Sequence, residues 1–458
     1  MSSSLTQGLG RFVAAPPFEK VPDDVAEILR NAFIDTVACF FSGREEAVTR
    51  AAFALARRRG GAREARVLLG DERLGAMDAA FVNAVSAHAL DYDDMALNGH
   101  PSVVLVPALL ACGERAGATD DTLMRAYLVG YEVWAELIGR EPDSLHSKGW
   151  HPTSVLGTVA VAAAVAHLQG LGAEAASHAL GIAASQSCGL MGNFGSMTKP
   201  LHAGWAASHG IEAAELAGLG VTASANVLES ATGLLAALSP QGKADRGPWD
   251  GPADLRIRQS GLSIKKYPVC YAAHRVIDGV LDLKRRHGFR ADQVRAFVPT
   301  LSDVTARVLH ASRPTSALEA KFSIEFACAM AALEGAVGLA QVTDDQVARA
   351  DLQALMAKVR KTTVPPGCPI EAGFALHDRV QVELNDGTVL DSGPIRFARG
   401  HARLALPREE IVAKWQGCLA SDGDRHQPLL ERLAALGAGR ASSVCTWLQG
   451  DAPMGGKA

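Results

Sequence analysis

The chain has 458 residues, more than the roughly 250–300 at which one hydrophobic core stops growing, so two or more domains are expected. Hydrophobic residues make up 48% and charged residues 21%, an ordinary globular composition that excludes a disordered chain. A formal charge of -4 gives no field for gripping nucleic acid, and that partner is excluded, whereas a small acidic ligand in a local pocket is not.

The first 260 residues read as one helix after another. Asp23 and Asp24 open a helix whose apolar positions Val25, Ile28, Leu29, Phe33 and Val37 fall at helical spacing, with Gly43 as its stop. Similar stretches run over 48–58, 76–89, 102–116, 121–138, 153–169, 173–187, 201–219 and 224–230. High alanine content favours close helix–helix approach. The longest apolar run, Val155 to Ala166, is shorter than the roughly 20 residues of a membrane span, so a buried helix is expected and no membrane partner.

Beyond about Gly261 the pattern mixes. Residues 294–301 carry a strand signal, and in 378–390 Val380, Val382 and Leu384 alternate before Asn385-Asp386-Gly387 turns the chain and Val389 resumes. Helical stretches surround these strands over 274–286, 322–337, 343–359 and 408–419. Helix returns at 427–436, expected to pack on the first body, and the tail from Asp451 to Ala458 is expected to fray. The fold class is therefore mainly α: a large all-helical domain (1–262 and 404–458) and a smaller α+β domain (263–403), with the active site in the cleft between them. Eight cysteines stand singly with no CxxC pair, and the N-terminus lacks a basic stretch followed by an apolar one. A cytoplasmic, reducing setting is expected.

Five segments place titratable residues among glycines and prolines: His88 to Asp94 (HALDYDD), Gly99 to Ser102 (GHPS), Gly149 to Thr153 (GWHPT), Gly195 to His202 (GSMTKPLH) and Lys265 to Arg275 (KKYPVCYAAHR). A His-Pro pair suits the start of a helix, because proline lacks the N–H that the first turn leaves unpaired. His100-Pro101 and His151-Pro152, with Ser102 and Thr153 beside them, thus hold a histidine where unpaired N–H groups favour anions. Lys199 is a lone lysine in an Ala/Gly/Met-rich segment, which is not the setting of a solvated face. The plain alternatives are a solvated or capping cluster for Asp91, Asp93 and Asp94, a buried structural role for His88, a backbone cap for His202, and simple packing for Cys270. The histidines lack the i, i+4 pairing of a zinc site, so no metal is expected.

These segments, with KFSIEF at Lys321 to Phe326, resemble the MmgE/PrpD family in content and order along most of the chain. The resemblance implies a two-domain fold, a homodimer, and an enzyme without cofactor acting on a small polycarboxylic acid. It places Asp91, His100, Lys199 and His274 in the catalytic pocket and assigns His151, Thr153, His202 and Arg275 to substrate binding. Which residue is acid and which base stays open. Met95 and Phe326 stand where the decarboxylase branch carries hydroxyls, which weighs against decarboxylation of cis-aconitate. His146 stands where an epimerase branch has tyrosine facing the lysine, giving a two-base alternative. A hydro-lyase acting on a 2-methylcitrate-like acid is the leading expectation, an epimerase of an iminodisuccinate-like acid the second, and a non-catalytic carboxylate binder the third.

Overall fold

A computed structural model describes residues 4–67, 70–439 and 443–449; the terminal tail expected to fray lies outside them. Nine helices, α1 (Leu5–Ala14), α2 (Asp23–Gly43), α3 (Ala47–Arg59), α4 (Ala76–His88), α5 (Pro101–Ala116), α6 (Asp120–Gly139), α7 (Pro152–Leu168), α8 (Ala173–Gln186) and α9 (Thr198–Gly218), form the first body. A two-residue ladder, β1 (Ala65–Arg66) with β2 (Arg73–Leu74), ties off the loop after α3. Small residues set the helix spacing. A Cβ added at Gly130 in α6 would lie 2.8 Å from the Ala160 carbonyl, and one at Gly210 in α9 would lie 2.5 Å from Val161 Cβ, so α6 and α9 both press on α7. Every residue of α7 from Pro152 to Ala166 is buried, as its apolar run predicts.

The expected helix at 224–230 is a string of turns. The Val227 and Leu228 carbonyls accept the backbone N–H groups of Leu234 and Leu235, and the Leu228 N–H donates to Thr6 Oγ1, so backbone groups a helix would pair internally are engaged elsewhere. Two single-turn helices, α10 (Leu234–Leu238) and α11 (Arg256–Ser260), follow.

The second body wraps α12 (His274–His287), α13 (Asp303–Val308), α14 (Ala317–Ala320), α15 (Ile324–Glu334), α16 (Asp344–Val347) and α17 (Ala350–Met356) around a four-stranded sheet. Its order is β4 (Thr362–Val364), β3 (Val294–Ser302), β5 (Arg379–Leu384), β6 (Val389–Asp391); β3 runs parallel to β4 and antiparallel to β5. The alternation in β5 buries Val380, Val382 and Leu384, and Gly387 (φ 89°) supplies the left-handed residue of the turn. The single helix expected over 343–359 is two, because Arg349 adopts extended geometry (ψ 128°) between them.

Finally α18 (Arg408–Cys418), α19 (Gln427–Ala434) and α20 (Val444–Gln449) return to the first body. One hydrophobic cluster runs from Leu5 to Ile264 and again from Leu406 to Leu448; a second runs from Tyr267 to Leu390. The architecture is mainly α with two cores. No helix among the described residues is long and apolar enough to cross a membrane.

Candidate active site

Between the two cores lies a cavity of about 630 Å³, lined by residues that include Asp91, His100, His146, His151 and Lys199 together with Lys265 and Cys270. Five of the nine residues named from the sequence thus share one space, although they come from three separate stretches of chain, 91–100, 146–151 and the start of α9.

The loop between α4 and α5 carries the acid. Asp91, Leu97 and Asn98 are the non-glycine residues with positive φ (53°, 52° and 60°) among those described. Such backbone is sparsely populated and persists only where its surroundings enforce it. Here they do. Met95 pairs with Ser263, the Trp134 indole donates to the Leu97 carbonyl at 3.3 Å, and a Cβ at Gly99 would meet the Trp134 ring at 2.6 Å.

Asp91 Oδ1 lies 2.6 Å from Lys199 Nζ and 2.9 Å from Lys265 Nζ. Lys265 also donates to the Asp91 carbonyl at 2.7 Å. Burial pushes the Asp91 carboxyl up, but the two ammonium groups overcome this and hold it well below the usual carboxylate range. Asp91 is therefore a fixed anion that aims two lysines, which makes it a weak base. Lys199 begins α9 and sits 5.2 Å from the ring centres of both Phe194 and Phe322, a cation–π clamp on its position.

His100 and His151 cap the starts of α5 and α7, each followed by its proline in the first turn, as the sequence predicts. His100 Nδ1 lies 2.9 Å from both Asp93 Oδ2 and the Asp94 carbonyl. Both are acceptors, so Nδ1 carries the proton and Nε2 keeps a lone pair, 3.8 Å from Asp91 Oδ1. Asp93 Oδ1 is also 2.9 Å from His88 Nδ1. His88 is the buried structural histidine expected, and burial pushes it down to about 3. Burial likewise lowers His146 to about 4 and holds His151 well below its ordinary value.

The remaining named residues stand behind the lining. Thr153 accepts the His100 backbone N–H at 3.2 Å, and His202 Nδ1 bonds to His151 Nδ1 at 3.0 Å, so both hold histidines rather than ligand. The direct roles expected of His274 and Arg275 need correction. His274 is fully buried with Nε2 toward the Val269 carbonyl at 3.3 Å. Arg275 pairs with Glu371, lies 3.5 Å from Asp378 Oδ1, and donates to the Ala375 carbonyl at 3.0 Å; it holds the loop that carries Phe374 into the cavity. The substitution at Phe326 is also silent here, since that side chain is buried in the second core. Met95 does line the cavity.

Two residues went unassigned in the sequence. Lys265 is fully buried, and its place in the doublet Lys265-Lys266 was its one signal. Lys414 on α18 reaches under the site: its Nζ donates to the Tyr92 and Lys265 carbonyls at 2.7 and 2.9 Å and pairs with Asp35 at 2.6 Å.

Ring or carboxylate atoms of His88, His100 and His151, and of His88, Asp91, Asp93 and His100, lie within 4.8 Å of one another. They do not fit a divalent cation well, because Asp91 already carries two ammonium groups and Asp93 is engaged by two imidazoles.

Residues 7–246 match the MmgE/PrpD N-terminal domain and residues 267–434 the MmgE/PrpD C-terminal domain. The chain is 31% identical to cis-aconitate decarboxylase of Mus musculus over 359 residues, covering 76% of this chain and 72% of that protein. Identity to the human cis-aconitate decarboxylase is also 31%, with 76% and 73% covered. Cis-aconitate decarboxylase of Aspergillus terreus is 25% identical over 480 residues, covering 98% and 96%. With both halves of the chain matched and the expected loops gathered on one cavity, the protein belongs to the MmgE/PrpD family.

Proposed function

We propose that the protein is a lyase of hydro-lyase type that acts on a small carboxylic acid by general acid–base catalysis. The observation that carries this is the Asp91–Lys199–Lys265 cluster beside His100 at one cavity. A substrate carboxylate docked on the two ammonium groups makes the neighbouring C–H more acidic. His100 Nε2, its Nδ1 proton committed to Asp93 and the Asp94 carbonyl, takes that proton. The C–H electron pair becomes the new double bond, and the β-hydroxyl departs as water with a proton from Lys199. A proton returned from His100 to Lys199 through solvent resets the site. The relatives named as decarboxylases support the lyase class and leave the substrate of this chain open.

A second reading has its own observation. His146 and Lys199 both line the cavity, which is what a two-base epimerase needs. Incubating the enzyme with 2-methylcitrate, citrate, cis-aconitate and a 2-alkylmalate, and following double-bond absorbance and released carbon dioxide, separates the readings. Turnover of these acids supports a lyase. Inertness toward all of them, with α-proton exchange in an imino dicarboxylate in heavy water, supports the epimerase, and no chemistry with any acid leaves a carboxylate-binding protein. The same proposal takes no metal: EDTA leaves turnover unchanged, and restoration of a lost activity by a divalent ion overturns that part.

A further inference from the structure

The cavity has two unlike walls. On one side stand Lys199 and Lys265 with Asp91. Two ammonium groups against one carboxylate leave a single net positive charge, and no arginine among the described residues lines the cavity. Burial pushes the lining histidines His100, His146 and His151 down, with Lys199 adding to the effect in each, so they are neutral near pH 7. The rest of the lining includes the apolar side chains of Met95, Val304, Val308 and Phe374, with only neutral polar groups, Asn98, Ser144 and Thr305, among them. Val304 and Val308 sit one turn apart on α13. Phe374 belongs to a small apolar cluster with Tyr271 and Ala398, separate from both main cores, against which Met95 packs. The adjoining cavity is lined by one arginine, Arg256, and three acids, Glu141, Asp143 and Glu371, so it adds no net positive charge.

A carboxylate moved from water against those apolar side chains loses its hydration and gains no cationic partner. A tricarboxylate leaves at least one carboxylate in that position. We infer that the site takes an acid with at most two carboxylates and an apolar arm, the arm lying against Met95, Val304, Val308 and Phe374. This rests on the carboxylate-binding reading above and narrows its substrate class away from citrate-like acids. The arm contributes by burying apolar surface, and the polar groups at the lysine end fix its orientation.

Two near-isosteric acids test it: tricarballylate, which is succinate with a carboxymethyl arm, and 2-isobutylsuccinate, which replaces that arm's carboxylate with an isopropyl group. Calorimetric titration of the wild-type protein is expected to show 2-isobutylsuccinate binding at least about 10-fold tighter, roughly 1.4 kcal/mol. Val308→Lys, and separately Val304→Lys, each place a cation on the apolar wall and are expected to erase or reverse that preference. Equal affinities in wild type, or tighter tricarballylate, overturn the inference. Lys199→Ala tests the underlying reading separately, since it is expected to weaken both acids together. If neither acid binds wild type, the carboxylate reading and the inference fall together; if both bind with the wrong preference, only the inference falls.

Discussion

Along α7 every position from Pro152 to Ala166 is buried, and nearly all are small or apolar. In the loop between α4 and α5 the buried positions instead include Asp91, Asp93, Asp94 and His100, and three non-glycine residues hold positive φ. The helix contributes stability through packing. The loop consumes it, because buried charge and strained backbone persist only when other elements enforce them. The enforcers come from afar: Lys199 from α9, Lys265 from the segment before α12, Lys321 donating to the Ala89 carbonyl at 3.1 Å, and Lys414 from α18.

The contrast is broken most sharply at Asp91. Asp91→Asn removes the charge that aims both lysines, and turnover is expected to fall by about 1000-fold, within the range of acid–base contributions. Steady-state kinetics check this, with circular dichroism confirming an intact fold. Val161→Ala in α7 is expected to do the reverse: a loss of about 2 kcal/mol in urea unfolding, with turnover per folded molecule unchanged. Acid sharpens the comparison next. Burial lowers His88 and His274 to about 3 and His146 and His202 to about 4, below the ordinary 6.5, with Lys199 or Lys265 also pushing down in each case. The unfolded chain therefore binds protons that the folded one refuses. The stability these neutral rings contribute is complete above about pH 6.5 and is lost as pH falls from there toward 4. Urea midpoints at pH 7.5 and 5 are expected to differ, and His88→Gln to reduce the difference. The smallest effect is expected at Asp94, three residues from Asp91. Burial and then Asp35 push its carboxyl well up, and it bonds to Ser102. Asp94→Asn keeps the shape and removes a charge that burial already disfavours, so turnover is expected to change less than about 10-fold, below the acid–base range; a larger loss shows that the ionised form matters.

Much of this was readable in one dimension. Helical periodicity marked α2 to α9, and the His-Pro pairs located the starts of α5 and α7 together with two cavity-lining histidines. What escaped depends on partners far along the chain. Lys265 is separated from Asp91 by 174 residues, and nothing local distinguishes it from its neighbour Lys266, which pairs with Glu410 nearer the surface. Lys414 lies in a helix opening Arg-Glu-Glu, whose sequence reads as a solvated face. His274 and Arg275 were placed one layer too far forward, since their motif reaches the cavity only through Cys270, Tyr271 and Ala272. Lys199 was legible because its surroundings hold no other charge.

Lys414 bonds to the backbone of Tyr92, 322 residues before it. At synthesis rates of about 5–20 residues per second, the segment holding Asp91 leaves the ribosome roughly 15–65 seconds before its anchor is made. The helical body has time to assemble while the reactive loop still lacks its last support, so nascent chains ending before α18 are expected to be folded in their first body yet inert.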